Sequence, residues 1–316
     1  MGIKKIKQIL TKIYLLPFLS IISIILCFNS VIAQEKLISI QLTYESAQEC
    51  FPSWSPDNKL LVYSYISINN DDKKTGLWIM SPDGTNKRHI FFEIAEHPKW
   101  SPNGQYIIFD ADSGKSIKMI HSAGGISINV VPENIQINKG GLPCWSPDGR
   151  RFAFKDEDYT IWIKDITSGR LSKIFQKAGV IALPACWTPD GKSILAALMD
   201  RATRISTIWK IPVNGSDPKQ IKGNNENFYR HICISPDGSL LIYTAKVGRY
   251  LSLWVMQADG GKTIPLFESE NGHNESPSWS SDEKKIAFTG SRNGNFDVYI
   301  MEVELDKIKK ELGLLN

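Results

Sequence analysis

Apolar and polar positions alternate along this chain in short runs of four to eight residues, and polar turns separate the runs. One stretch shows the plan. Leu240-Leu241-Ile242-Tyr243 is followed by a polar loop, then by Leu251-Ser252-Leu253-Trp254-Val255-Met256. Ala258-Asp259-Gly260-Gly261 then turns the chain into Thr263-Ile264-Pro265-Leu266-Phe267, and a short run around His231-Ile232-Cys233-Ile234 lies ahead of them all. Period-two alternation, β-branched and aromatic residues and Gly/Asp turns predict four strands joined as hairpins. Between the first two strands sits Ser235-Pro236-Asp237-Gly238. Proline presets φ, aspartate tolerates the bridge region, and glycine takes the left-handed position.

That turn returns six times. Trp54-Ser55-Pro56-Asp57-Asn58, Trp100-Ser101-Pro102-Asn103-Gly104 and Trp145-Ser146-Pro147-Asp148-Gly149 come first. Trp187-Thr188-Pro189-Asp190-Gly191, Ile234-Ser235-Pro236-Asp237-Gly238 and Trp279-Ser280-Ser281-Asp282-Glu283 follow, at steps of 46, 45, 42, 47 and 45 residues. A fixed period of this size marks a repeat architecture. Four short strands per repeat, arranged radially, predict an all-β, six-bladed β-propeller of four-stranded antiparallel blades. Blades are expected to start near residues 50, 96, 141, 183, 230 and 275. The sixth repeat lacks its last strand. Residues 37–43, Leu-Ile-Ser-Ile-Gln-Leu-Thr, stand where an outer strand belongs, so they are expected to pair with the Val298 strand and close the ring. The propeller is thus expected over residues 34–304, with a helical tail over 305–316 spaced by Leu305, Ile308, Leu312 and Leu315.

The first 33 residues break the pattern. Lys4, Lys5, Lys7 and Lys12 precede an apolar run from Ile13 to Phe28 and then Val31-Ile32-Ala33. This three-part layout predicts a secretory signal peptide over residues 1–33. The expected localisation is therefore export to the periplasm, cell envelope or outside, with membrane contact only through the leader if it stays uncleaved. Setting aside its four lysines leaves 33 basic and 33 acidic residues, a balance that speaks against a nucleic-acid partner. Cys50, Cys144, Cys186 and Cys233 remain. The last three occupy equivalent places on successive repeats, too far apart for bridging, so buried thiols are expected.

The repeats resemble the TolB-like propeller family, relatives of the WD-type propellers. The resemblance rests on Trp-Ser-Pro-Asp-Gly, on Leu253-Trp254-Val255-Met256 with Ala258-Asp259-Gly260, and on Gln41-Leu42-Thr43 leading to Pro52-Ser53-Trp54. TolB itself carries an α/β domain ahead of its propeller, which this chain does not match. No Gly-x-Ser-x-Gly elbow and no closely spaced histidine pair occurs, unlike the prolyl peptidases and oligogalacturonate lyases that use related propellers.

Candidate chemistry gathers at one place. His97 and His231 each lie three residues before the phrase of their repeat, in the second and fifth units. Glu96 and Arg230 precede them, Glu275 holds the same place in the sixth unit, and His273, Phe228 and Tyr229 lie nearby. All enter innermost strands, so they are expected to converge on one channel mouth. Loops on a rigid scaffold commonly carry binding sites. Neither a metal nor another cofactor is expected. The polar stretches Asn69-Asn70-Asp71-Asp72-Lys73-Lys74 and Asp156-Glu157-Asp158 read as solvated loops. The composite reading is a monomeric, non-catalytic envelope module that binds a protein or polymer partner at this mouth. The rival reading is an enzyme acting on carbohydrate or peptide there.

Overall fold

The computed structural model describes residues 38–68, 72–137, 140–223, 228–267, 271–292 and 294–315. The predicted leader and Asn69-Asn70-Asp71 lie outside the described residues. Six four-stranded antiparallel sheets make up the fold. Blade 1 contains β2 (Ala47–Trp54), β3 (Leu61–Ser67), β4 (Gly76–Met80) and β5 (Arg88–Phe91). Blade 2 contains β6 (Glu96–Trp100), β7 (Tyr106–Ala111), β8 (Ser116–His121) and β9 (Ile128–Asn129). Blade 3 has β10 (Cys144–Trp145), β11 (Arg151–Lys155), β12 (Ile161–Asp165) and β13 (Leu171–Phe175). Blade 4 has β14 (Val180–Trp187), β15 (Ser193–Asp200), β16 (Ser206–Pro212) and β17 (Lys219–Lys222). Blade 5 has β18 (Tyr229–Ile234), β19 (Leu240–Val247), β20 (Tyr250–Gln257) and β21 (Thr263–Phe267). Blade 6 combines β22 (Asn274–Trp279), β23 (Lys285–Arg292) and β24 (Asn295–Glu302) with the N-terminal β1 (Ser39–Gln41).

The predicted closure is present. β1 pairs with β24 in the register Ser39↔Met301, Ile40↔Ile300 and Gln41↔Tyr299. Leu42 N then donates to Val298 O at 2.8 Å, and Val298 N donates to the Thr43 hydroxyl at 2.9 Å.

The repeated phrase works as a self-contained turn. In blade 1 the Ser55 hydroxyl donates to Asp57 Oδ1 at 2.7 Å and accepts Leu60 N at 2.9 Å. The same hydroxyl-to-side-chain bond recurs at Ser101–Asn103, Ser146–Asp148, Thr188–Asp190, Ser235–Asp237 and Ser280–Asp282. It holds the three-residue excursion while the next residue takes a left-handed φ, +71° at Gly104 and +77° at Gly238. Asn58 and Glu283 adopt +59° and +60° without a glycine.

Two of the phrase tryptophans also fasten one blade to the previous one, whereas Nε1 of Trp54, Trp100 and Trp279 has no hydrogen-bond partner among the described residues. Trp145 Nε1 donates to Lys99 O at 3.2 Å, and Trp187 Nε1 to Cys144 O at 3.1 Å. The apolar residues gather between blades rather than in one central core. Val62, Leu77 and Ile79 of blade 1 pack on Trp100, Ile107 and Phe109 of blade 2, for instance. Trp187→Phe keeps this packing and removes one buried bond. It is expected to lower stability by about 1 kcal/mol, the usual net contribution of such a bond; a denaturant titration unchanged from wild type would refute the fastening role.

Helix α1 (Leu305–Glu311) ends in a Schellman closure, with Leu314 N donating to Lys309 O at 2.8 Å and Gly313 at φ +77°. Its Ile308 and Leu312 are buried among residues of blades 5 and 6, so the helix caps its own ring. All four described cysteines are free thiols.

Candidate functional site

The innermost strands do not run straight. Each of β2, β6, β18 and β22 breaks register just before its phrase, between Cys50 and Ser53, Glu96 and Lys99, Arg230 and Cys233, and Glu275 and Ser278. The residue three before the phrase takes a left-handed φ: Phe51 +57°, His97 +52°, Leu142 +51°, His231 +48° and Ser276 +54°. Blade 4 has Pro184 there, whose ring forbids a positive φ. Such a conformation costs a non-glycine residue about 1–2 kcal/mol. Five of them at one level mark a place where the fold holds strain, as binding sites do.

This bulge ring brings opposite blades together. The Phe51 ring lies 4.1 Å from that of His97 and 6.3 Å from that of His231, centroid to centroid. Blade 1 thereby fills the space between histidines of blades 2 and 5. Phe51 carries no titratable group to mark it in the sequence, yet its offset from Trp54 matches those of the two histidines.

His97 is fixed from behind. Its Nδ1 lies 2.8 Å from Oδ2 of buried Asp110. Asp110 also accepts Gly141 N at 2.6 Å and Leu142 N at 3.3 Å, so one carboxylate ties the bulges of blades 2 and 3. The approach demands glycine. A Cβ on Gly140 would lie 2.8 Å from Asp110 Oδ2, and one on Gly141 would lie 2.4 Å from the Ile117 side chain. In blade 6, Thr289 does the equivalent work, its hydroxyl accepting Phe51 N at 3.0 Å.

On the other side, Arg230 of blade 5 pairs with the Glu275 carboxylate of blade 6 and covers the Phe228 ring, its guanidinium carbon 5.5 Å from the centroid. His231 Nδ1 lies 3.9 Å from the same carboxylate. Burial, reinforced by the charges of Arg230 and His97, holds the His231 imidazole well below its usual pKa and keeps it neutral. Glu96 and Glu275 both act on the buried Cys50 thiol, whose pKa is raised first by burial and then by these carboxylates. Several buried polar atoms here have no hydrogen-bond partner among the described residues: Arg230 Nε, His231 Nδ1, Thr244 Oγ1, Asn274 Nδ2 and Ser276 Oγ. Thr244 faces Arg230 across β18 and β19, and Asn274 and Ser276 flank Glu275. Ser64 Oγ of blade 1, opposite Cys50, is orphaned at the place equivalent to Thr244, so the orphaned donors and acceptors at this level lie on blades 1, 5 and 6. Buried polar groups normally find partners, so such a cluster points to something that binds there.

Glu96, His97, Arg230, His231 and Glu275 thus share the mouth with Phe51, and Phe228 lies against Arg230. Two residues depart from the expected arrangement. Tyr229 is only 3% exposed and packs on Tyr243, so it offers no aromatic surface; strand alternation sends it to the face opposite Arg230. His273 lies outside the bulge ring, its Nδ1 accepting Leu251 N at 3.2 Å between Tyr250 and Phe296. Among the described residues no three His, Cys, Asp or Glu side chains are gathered as metal ligands.

Comparisons with known proteins agree with this architecture. A family profile described as the TolB beta propeller domain matches residues 64–269. An uncharacterized protein of Agrobacterium fabrum is 28% identical over 254 residues, which cover 75% of this chain and 83% of that protein. The Tol-Pal system protein TolB of Francisella tularensis subsp. mediasiatica is 27% identical, over 69% of this chain and 63% of its own length. The fold is shared more widely. A solved oligogalacturonate lyase in complex with manganese superposes with a TM-score of 0.59 at 13% identity, covering 87% of this chain and 95% of the lyase.

Proposed function

Because the chain belongs to the TolB beta propeller domain family, we propose that it is a non-catalytic module of the periplasm or cell envelope that grips a partner at the bulge ring. The partner contributes an extended segment, of protein in the first instance, that enters the channel mouth. The observation that carries this reading is the cluster of orphaned polar atoms on blades 1, 5 and 6 beside Phe51. It mixes donors (Arg230 Nε, Asn274 Nδ2) with the His231 ring nitrogen. A peptide backbone presents donors and acceptors in alternation and suits such a mixture. Phe51 supplies the apolar contact that orients an incoming side chain. Export fits both the family and the leader-like first 33 residues.

An enzyme reading needs an acid and a base free to move protons. Glu275 is held by Arg230, and His231 stays neutral. His97, oriented by Asp110, is the mouth group best placed for acid–base work, and it defines the control.

The test is crosslinked capture from the cell envelope with wild type and with the variant Glu96→Gln/His97→Asn/Arg230→Met/His231→Asn. Asparagine is chosen because it tolerates the left-handed φ. Partners recovered by wild type are expected to be lost from the variant while its melting temperature stays close to wild type. Recovery of the same partners by the folded variant overturns the reading. Turnover of oligosaccharides or peptides by wild type, abolished by His97→Asn alone, replaces it with the enzyme reading.

A further inference from the structure

The seams between blades are not equally filled. At the seam of blades 3 and 4 a cleft of about 610 Å³ opens, at the end of the propeller where the innermost strands begin. Phe175, Val180, Leu198, Ile205 and Trp209 give it an apolar lining, and the exposed Lys177 and Thr203 stand at its rim. We propose that this cleft docks an extended segment of a partner protein that carries branched aliphatic side chains. The site lies on a seam, apart from the bulge ring, and its test is independent of that of the mouth.

Two features of the chain open this seam. Trp78, Trp162, Trp209 and Trp254 hold the same place on the third strands of their blades, and their partners on the second strands are Tyr63, Phe154, Ala196 and Tyr243. Of these four tryptophans, Trp209 is the one with a small cross-strand neighbour, so its blade brings one ring fewer to the seam. The second feature is the crossing from blade to blade. Between blades 3 and 4 the chain leaves β13 at Phe175 and enters β14 at Val180. Between blades 2 and 3 it leaves β9 at Asn129 and enters β10 only at Cys144.

The longer crossing shows what such a seam accepts. Its Val130, Val131, Ile135 and Ile137 pack with Phe154 and Trp162 of blade 3. Lys164 Nζ donates to Val130 O at 2.8 Å, and Glu157 N, in the hairpin between β11 and β12, donates to Gln136 O at 3.0 Å. The chain thus fills the seam beside Trp162 with an aliphatic segment of its own, held by its side chains and by two backbone carbonyls. Beside Trp209 the short crossing supplies no such segment among the described residues, yet the wall is already set. Trp209 Nε1 donates to Thr207 Oγ1 at 2.7 Å, and the Thr207 hydroxyl donates to Leu198 O at 3.2 Å, which fixes the indole. A preformed apolar wall with a few polar groups at its edge suits a ligand that contributes apolar side chains, and preorganisation lowers the cost of binding it. Lys177 and Thr203 supply donors for the carbonyls of an extended backbone, as Lys164 does at the filled seam.

The probe is a synthetic peptide of residues 130–137, Val-Val-Pro-Glu-Asn-Ile-Gln-Ile with blocked ends, titrated into the isotope-labelled protein and followed by NMR. The readouts are the indole N–H signals of Trp209 and Trp162, assigned by their absence from Trp209→Phe and Trp162→Phe. The Trp209 signal is expected to shift saturably. That of Trp162, whose Nε1 donates to Asp156 Oδ2 at 2.8 Å in the filled seam, is expected to stay in place. A peptide carrying Ile135→Asn and Ile137→Asn is expected to move neither. In the protein, Ile205→Asp is expected to weaken peptide binding by at least about tenfold, the loss of one apolar contact, and Ile205→Leu to keep it. Ile205 is only partly buried, and a melting temperature close to wild type shows that the Asp variant is folded. The mouth variant is expected to lose partner capture and to bind the peptide as wild type does. The proposal is overturned if Trp209 does not respond to millimolar peptide, if Trp162 responds in its place, or if the Asn-substituted peptide binds equally well. Unchanged binding to folded Ile205→Asp, or loss of binding in the mouth variant, overturns it too. A Trp209 shift produced by maltose and not by the peptide would assign the cleft to a sugar instead.

Discussion

Raising the pH from about 4.5 to about 8 is expected to weaken wild type by about 3 kcal/mol relative to Glu49→Gln. Glu49 lies on β2 with 0% exposure, and neither carboxylate oxygen has a hydrogen-bond partner among the described residues. It sits at the seam where blade 6 meets blade 1. Asp297 of β24 is beside it, with Thr43 donating to Asp297 Oδ1 at 3.2 Å. Burial raises the Glu49 pKa from 4.5 to about 7, and the neighbouring Asp297 charge adds to the rise. Thr43 and the Lys87 charge pull the other way; Tyr63 and Cys50, the other titratable neighbours, stay protonated because burial raises both.

The sign follows from which state holds the proton. Between 4.5 and about 7 the folded chain keeps it and the unfolded chain has lost it, so stability falls as pH rises and levels off above 7. At about 1.36 kcal/mol per pH unit the loss comes to ~3 kcal/mol. Burial raises Asp297 as well, which adds in the same direction. The turn aspartates act oppositely. Hydroxyls of Ser55, Ser146, Thr188 and Ser280 hold Asp57, Asp148, Asp190 and Asp282 below 3.8, and that contribution disappears only as pH falls. His231 and His89, held below the usual histidine value by burial, also act oppositely, because below 6.5 the unfolded chain takes up protons that the folded chain does not. The check is chemical denaturation across pH for both proteins. A difference between the wild-type and Glu49→Gln curves that stays constant from pH 5 to 8 contradicts this account of the seam.

The fold was legible because its signal is local. Ser-Pro-Asp-Gly makes its own turn from its own hydroxyl and carboxylate, so six copies count six blades whatever the context. The closing strand was legible for a topological reason: the last repeat was one strand short, and Ile38 to Thr43 had the right alternation at the right distance. The site was half legible. Equal offsets placed His97 and His231 at one level, but offsets do not show that the strand bulges, and a bulge shifts which face each neighbour presents. Phe51 turned into the channel for that reason, whereas Tyr229, ahead of the bulge, turned inward by ordinary strand alternation. The sequence does carry a trace of the bulge. Pro52, Pro98, Pro143 and Pro277 each follow a bulged residue, and proline is confined to such places in a sheet interior because it cannot donate to the ladder. The Asp110 anchor and the Glu49–Asp297 seam were hidden altogether. Both join residues of different blades, and nothing in the spacing of either pair announces the contact.

Removing residues 1–43 is expected to do more damage than any single substitution, whereas removing residues 1–36 is expected to leave the propeller intact. β1 contributes three paired positions to β24, and Leu42 and Thr43 extend the seam beyond them. Leu42 is 5% exposed among Trp54, Tyr63, Met80, Val298 and Ile300, residues of blades 1 and 6. Burying a leucine contributes about 2 kcal/mol, and each of the lost seam hydrogen bonds about 1 kcal/mol more. The total of about 5 kcal/mol is comparable to the whole stability of a small domain. Blades bury their faces only against neighbours, so a gap at one seam weakens both blades beside it. The bare β24 edge would also present unpaired backbone groups to other copies, which favours aggregation. The decisive measurement pairs melting temperature with light scattering for the two truncations, and then adds a synthetic peptide of residues 37–44. The shorter chain should melt at least about 10 °C lower, at about 2–4 °C per kcal/mol, and scatter more. The peptide should reverse both effects, and an Ile40→Pro peptide should not, because proline breaks the ladder opposite Ile300. A chain lacking residues 1–43 that melts with wild type and stays monomeric would mean that the ring holds without its N-terminal strand.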